Sequence, residues 1–516
     1  MKKRNLSFIC AAALVLTMTA CSNTTTTSTT STSTSVESET TEAVASTDDS
    51  STASDTSQTQ ADASSGQSGD QNAPSDSNGT PPEKPDGDNA PGDSNGTPPD
   101  KPDGDNAGQP GSGFGGSGEV TQGDSANTID SDGTYSNESY TSTGDDENAL
   151  RVDGATVTLD GITVDKSSGS SSNTEDGDFY GMNAALLATD GATVTIKNAT
   201  VTSSAQNGNG VFSYGDGTTV NISDSTITTT ADNSGGIQTT GGGTTNASNL
   251  TVETSGNSAA AIRSDRGGGT VNVDGGTYTS NGYNSPAVYS TADITVKDAA
   301  LTANNSEALV IEGENSIALE NCDVNGNMSD TEGTSSDENV HNVMIYQSMS
   351  GDANVGTSEF SMTGGTLTSN NGDMFYITNT NCVISLSDVT ITNKDSDSYL
   401  MNICGNSASH GWGTAGSNGA QVTFTASDQT LDGDIIVDTI STLDMTLSDN
   451  STFNGTINIT DNADGGTAVS DNAVVTIDFG STWNLTGNCT ISSLTNNGTI
   501  NFNGYTITLA DGTVLK

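Results

Sequence analysis

The sequence predicts an all-β chain whose folded part is a parallel β-helix, a solenoid with three short strands per coil, set behind a disordered N-terminal stalk. Three observations predict it. An eleven-residue frame recurs nine times, one column of that frame holds only Gly, Asn or Asp, and a third apolar anchor follows most frames at a fixed distance.

The frame aligns without gaps. GATVTLDGITV starts at Gly154, GATVTIKNATV at Gly191, GTTVNISDSTI at Gly217, and the series runs on to NCVISLSDVTI at Asn381. Frames that follow one another closely are spaced by 23–26 residues, the length of one solenoid turn. Position four is Val157, Val194 and Val220 through to Ile384, and position six is Leu159, Ile196 and Ile222 through to Leu386. Alternate residues therefore face inward, as a strand requires. Position eight is Gly161, Asn198, Asp224, Asn249, Gly275, Asp298, Asn321, Gly364 and Asp388, the residue types that tolerate a left-handed turn. Position eleven turns inward again with Val164, Val201 and Ile227, and a third strand follows, anchored by Val211, Ile237, Ile262 and Val288.

Ahead of these coils the chain reads as an address and a tether. Residues 1–20 combine Lys2, Lys3 and Arg4 with an apolar run too short to span a bilayer, and small residues lead into Cys21. This is a lipoprotein signal peptide with Cys21 as the lipidation site, or else a plain cleaved signal; both imply export. Residues 21–118 are Ser, Thr, Asp, Gly and Pro-rich, with Asp76–Gly92 nearly duplicated as Asp93–Gln109. So little apolar surface cannot offset chain entropy, and a disordered tether is expected. The β-helix domain is assigned to residues 119–516, with regular coils over about 149–404 and divergent coils and a cap over 419–516.

The 65 acidic and 13 basic residues give a formal net charge of −52. Like charge excludes nucleic acid as a partner, and any membrane attachment is expected only through the lipid on Cys21, on the extracellular face of the cell membrane. The acidic excess suits divalent cations, Ca2+ included, although no loop completes an EF-hand and no ligand set can be named. Cys322, Cys382, Cys404 and Cys489 are scattered without metal or redox spacing, and buried thiols are expected rather than disulfides.

Over roughly 120–516 the frame resembles the right-handed parallel β-helices of pectate lyases, autotransporter passengers and clostridial surface carbohydrate-binding proteins. The tail STWNLTGNCTISSLTNNGTINF from Ser481 is similar to the end of autotransporter passengers. The resemblance implies a right-handed coil and a surface role in binding or cleaving polysaccharide.

Insertions at Ser167–Gly181, at Asn327–Asn342 continuing over Ser348–Gly356, and at Gly405–Asn418 all border the third strand. Long loops on one side of a solenoid mark its working face. The third strand's outward column, expected to face solvent, is Arg151, Leu187, Phe212, Gln238, Arg263, Tyr289, Val310, Ile345, Tyr376 and Asn402, with Tyr214, Asp265 and Glu312 two residues on. Aromatic faces stack on sugars while Arg, Gln and Asp bond their hydroxyls. The ligand-binding candidates are therefore Arg151, Phe212, Tyr214, Gln238, Arg263, Asp265, Tyr289 and Tyr376, with Trp412 from the last insertion. A structural account, cross-strand contacts beneath covering loops, competes with this one.

No catalytic residue is assigned. His341 and His410 fall in insertions and read as solvated, while Asp265 and Glu312, two coils apart, stand roughly 9.6 Å from one another on strand geometry. Outward Thr-x-Thr pairs such as Thr200 and Thr202 resemble ice-binding surfaces, but Glu253, Ala300 and Asp323 interrupt them. The leading expectation is a cell-surface adhesin binding an extracellular polysaccharide or a host or cell-wall glycan. The alternatives are a polysaccharide lyase or glycoside hydrolase on the same scaffold, and a structural spacer without ligand.

Overall fold

The computed structural model describes residues 120–329 and 339–516; the signal segment, Cys21, the tether and part of the middle insertion lie outside the described residues. Strands stack coil on coil in parallel. Thr193–Lys197 pairs with Thr156–Asp160 on one side and Thr219–Ser223 on the other, aligning Val157, Val194 and Val220 in direct register. Direct register follows from the repeat, because each coil, whatever the length of its loops, returns the frame to the same azimuth one strand spacing further on.

Among the described residues the first two strands of every frame join one 22-stranded sheet, and the third strands form a separate 16-stranded sheet. A 4-stranded sheet takes over the second-strand position from Thr430–Asp432 to Thr499–Asn501. Positions four, six and eleven meet the third-strand anchors in one apolar core that runs from Ile129 to Ile507. Each fully buried Val, Leu or Ile contributes about 1.5–3 kcal/mol. Cys322, Cys382 and Cys489 are buried there as free thiols, and Cys404 is half-buried. No helix of the described residues is long and apolar enough to cross a membrane.

All nine residues at position eight lie in the left-handed region, with φ from 49° at Asp224 to 73° at Gly275. Val514–Leu515 folds back antiparallel on Ile507–Leu509. That pairing occupies backbone groups of the last third strand that would otherwise template another chain.

Register departs from the sequence expectation in one coil. Val343 and Ile345 pair with Leu309 and Ile311 and point into the core, so Met344 and Tyr346 face outward in place of Ile345. The run Val343-Met344-Ile345-Tyr346 is apolar on both faces, so alternation alone cannot phase it.

The left-handed column can be tested at Asp298, whose φ is 50°. Asp298→Gly should leave the urea midpoint close to that of the parent. Asp298→Val, with a β-branched side chain forced into the left-handed region, should cost about 1–2 kcal/mol.

Candidate functional site

The outward stripe of the third-strand sheet is largely covered, and the insertions cover it. The first insertion forms a short helix, α1 (Thr174–Tyr180), opened by Asn173, whose side chain accepts the Glu175 N–H, and closed by left-handed Gly181. It lies over Leu187 and Phe212, both fully buried, and the Gln238 amide donates to the Asp178 carbonyl at 2.9 Å. At the other end Tyr346, Tyr376 and Trp412 pack with Val310 and Met344 in a second small cluster. The Tyr346 and Trp412 rings lie 4.8 Å apart.

Phe212, Gln238, Tyr376 and Trp412 are therefore packing residues beneath or within the insertions and not a solvent-facing platform. Tyr214 is half-buried against the Tyr180 ring at 5.6 Å. Arg151 is committed to the first coils, donating to the carbonyls of Gln122 at 2.7 Å and Gly123 at 2.8 Å and to Asn148 Oδ1. His341 is not solvated: it opens a strand next to Asp373, is fully buried, and its Nδ1 lies 2.9 Å from the Asn339 carbonyl. Burial lowers its pKa despite the neighbouring Glu307.

Between the two covered stretches the stripe opens into a cavity of about 240 Å³ centred on Arg263 and Tyr289. Three predicted residues, Arg263, Asp265 and Tyr289, line it, together with Asp178 and Phe179 of α1 and Asp352 of the continued middle insertion. Its rim is Asn233, Ser258 and Asn284, which occupy equivalent left-handed corners of successive coils with φ of 55°, 52° and 50°. The fold's own turn chemistry thus presents short polar side chains at the mouth.

The floor is an arginine shared by two acids. Arg263 Nη2 lies 2.8 Å from Asp265 Oδ2 and 3.2 Å from Asp178 Oδ2, and Asn207 Nδ2 donates to Asp178 Oδ1 at 3.0 Å. One guanidinium balances one carboxylate, so the pair is over-supplied with negative charge in a desolvated place. Burial pushes Asp265 up to about 7, aided by Asp178, Asp352 and Glu312 and opposed by Arg263. Asp178 is also raised by burial, again against Arg263. Burial disfavours the charge on Arg263 as well, but the two carboxylates outweigh it and hold the guanidinium protonated.

Glu312, buried two coils from Asp265, accepts from the Tyr289 hydroxyl at 2.6 Å and the Tyr346 hydroxyl at 3.1 Å, fixing both rings. Burial first, and Glu312 second, hold both phenols well above their ordinary pKa. Arg266 joins the two insertions above the sheet. Its guanidinium sits 4.0 Å over the Phe179 ring while Nε and Nη2 both reach Asp352 Oδ1, at 3.0 and 2.7 Å. Asp178, Phe179 and Asp352 escaped the sequence reading because they lie in insertions outside the repeat. Their signal was the placement of those insertions beside Arg263 and Arg266, two of the three arginines in 120–516.

No group of three or more His, Cys, Asp or Glu side chains converges as a metal site among the described residues. No protein-family model matches the chain, and neither does any curated protein.

Asp265 makes stability depend on pH. Its folded pKa stands above the ordinary carboxylate value, so between about pH 4 and pH 7 the folded chain holds a proton that the unfolded chain releases. Stability from this group is present at low pH and declines as pH rises through that window. The melting temperature of the parent should accordingly fall from pH 4.5 to pH 7.5 relative to Asp265→Asn; parallel profiles would contradict this assignment.

Proposed function

We propose that the chain is a glycan-binding surface protein and that the Arg263–Tyr289 cavity is its binding site. The observation that carries this reading is the cavity itself: a concave, preformed site with aromatic walls, amide and hydroxyl groups at the rim, and charged groups already fixed by partners. Sugars present apolar ring faces and many hydroxyls, and this mixture answers both. Rigidity supports it too, since a site on stacked parallel strands loses little conformational freedom when it is filled.

Cleavage at the same cavity is the second reading. Asp265, poised to carry a proton near neutrality, and Asp178 lie against the same guanidinium nitrogen, and paired carboxylates of this kind protonate and displace at a glycosidic bond.

A glycan array and calorimetry on the purified chain test both readings. Arg263→Ala is a poor probe, because it strands two buried carboxylates. Asn233→Gly with Asn284→Gly removes two rim amides and leaves the left-handed backbone unstrained. The double variant should bind about 10-fold to 100-fold more weakly, each lost hydrogen bond costing about 0.5–1.5 kcal/mol. Unchanged affinity would move the site elsewhere, and new reducing ends would convert the binding reading into the hydrolytic one.

The proposal includes its address: export, with lipid on Cys21 holding the protein at the outer face of the cell membrane. Cys21→Ser should release the protein from the membrane fraction into the medium. Retention on the membrane would count against the anchor.

A further inference from the structure

A second cavity, of about 260 Å³, adjoins the first and shares Asp352 with it. Gly267, Gly268 and Gly269 form part of its floor, and a Cβ on Gly268 would stand 2.7 Å from the Thr291 carbonyl oxygen, so this floor is backbone by necessity. Asp293 and Glu314, both exposed, stand on its other walls. Thr291 also lines it, is 2% exposed, and has a hydroxyl with no hydrogen-bond partner. A buried hydroxyl without a partner is costly unless something the cavity receives completes it.

The charges of the two cavities do not balance. Their cations are Arg263 and Arg266, and each is already within 3.2 Å of carboxylate oxygens. Neither guanidinium is left to recognise an anionic sugar. Against these two stand five acids, counting Asp293 and Glu314 with the three of the first cavity, and even with Asp265 holding a proton the carboxylates outnumber the guanidiniums. Asp178 and Asp265 meet at Arg263, while Asp352, Asp293 and Glu314 continue into the second cavity, and no three of the acids converge on one point, which suits a ligand with charge spread along a chain. The long-range field of a chain with net charge −52 has the same sign and draws cations in.

Resting on the glycan-binding reading, we infer that the two cavities are consecutive subsites for an oligosaccharide of amino sugars carrying free, protonated amines. One unit sits over Arg263 and Tyr289, and the next passes Asp352 to reach Thr291, Asp293 and Glu314. The ammonium groups supply the positive charge that the groove lacks, and a ring hydroxyl completes the bond that Thr291 leaves open. Arg266 holds Asp352 at the junction, so this carboxylate is positioned before the ligand arrives.

The test is calorimetry on the full chain with glucosamine, its β-1,4 dimer and tetramer, the fully N-acetylated dimer and tetramer, and a galacturonate tetramer. Each is titrated at low and at physiological salt, with and without Ca2+. The free-amine dimer should bind at least 10-fold tighter than both its acetylated counterpart and the monosaccharide, and should weaken with salt. Asp293→Asn with Glu314→Gln, at exposed positions that leave the core untouched, should remove the gain of dimer over monomer and spare monomer binding. Galacturonate binding, with or without Ca2+, would overturn the inference, and so would amine binding that the double variant leaves intact. If acetylated or neutral glycans bind in a manner sensitive to the Asn233 and Asn284 substitutions while free amines confer nothing, the glycan-binding reading stands and only this inference falls. If no glycan of any class binds, both fall.

Discussion

Everything in this fold depends on each coil returning the chain to its starting azimuth one strand spacing further along. The step that makes this achievable is the left-handed residue between the first and second strands, which turns the backbone without a gap in the parallel ladder. A right-handed or extended residue there would swing position eleven off the core, and the misdirection would recur in every coil above. Gly, Asn and Asp meet the requirement at low cost, which is why the column admits so few residue types over nine coils while the outward position just before it takes Asp, Lys, Ser, Glu and Thr. The same device recurs at Asn233, Ser258 and Asn284 before the third strand, and there it has a chemical by-product. Residues chosen for left-handed backbone are also hydrogen-bonding residues, so a rim of polar groups arises from the turn chemistry itself.

The coil repeat also sets what a site on this scaffold can be. Equivalent residues stack at a fixed strand spacing, so like charges in one column are brought close unless something intervenes. Arg263 stands on the third strand directly beside Tyr289, and the two acids it serves come from different places: Asp265 from its own strand end, Asp178 from α1. The insertion therefore does more than cover apolar surface. It lowers a carboxylate onto an arginine already engaged by another, and the resulting excess of buried negative charge holds Asp265 near the protonation threshold.

The repeat, its three strands, the inward columns and the left-handed corners were legible in the sequence because each is periodic, and a periodic signal is measured many times over. One register slipped, at Met344, where four consecutive apolar residues remove the contrast on which alternation relies. The site was legible in part. Arg263, Asp265 and Tyr289 belong to the periodic stripe and were found as such, but their surroundings were not. Period-two alternation says which side of a strand a residue faces, and it is silent on what lies over that side. Phe212 and Gln238 were read as solvent-facing for this reason, and α1, formed by residues 174–180, buries both. Asp352 reaches Arg266 across 86 positions of sequence, a contact that no local pattern encodes.

A solenoid whose stripe were bare would expose Leu187, Phe212, Val310, Met344 and Tyr376 in one strip, an apolar surface of the kind that invites association. Covering it completely would give an inert rod. The insertions here do neither: one covers the stripe from the N-terminal side, the others from the C-terminal side, and the coils of Arg263 and Tyr289 are left between them. These two coils carry Arg263, Asp265 and Tyr289, so the opening falls where the chemistry of the stripe is richest. Arg266 then ties the two covers together through Phe179 and Asp352, which couples the width of the opening to one ion pair and one cation–π contact. The parallel core holds the floor rigid independently of that clasp, so changes in the insertions can reshape the opening while the coils beneath keep their register.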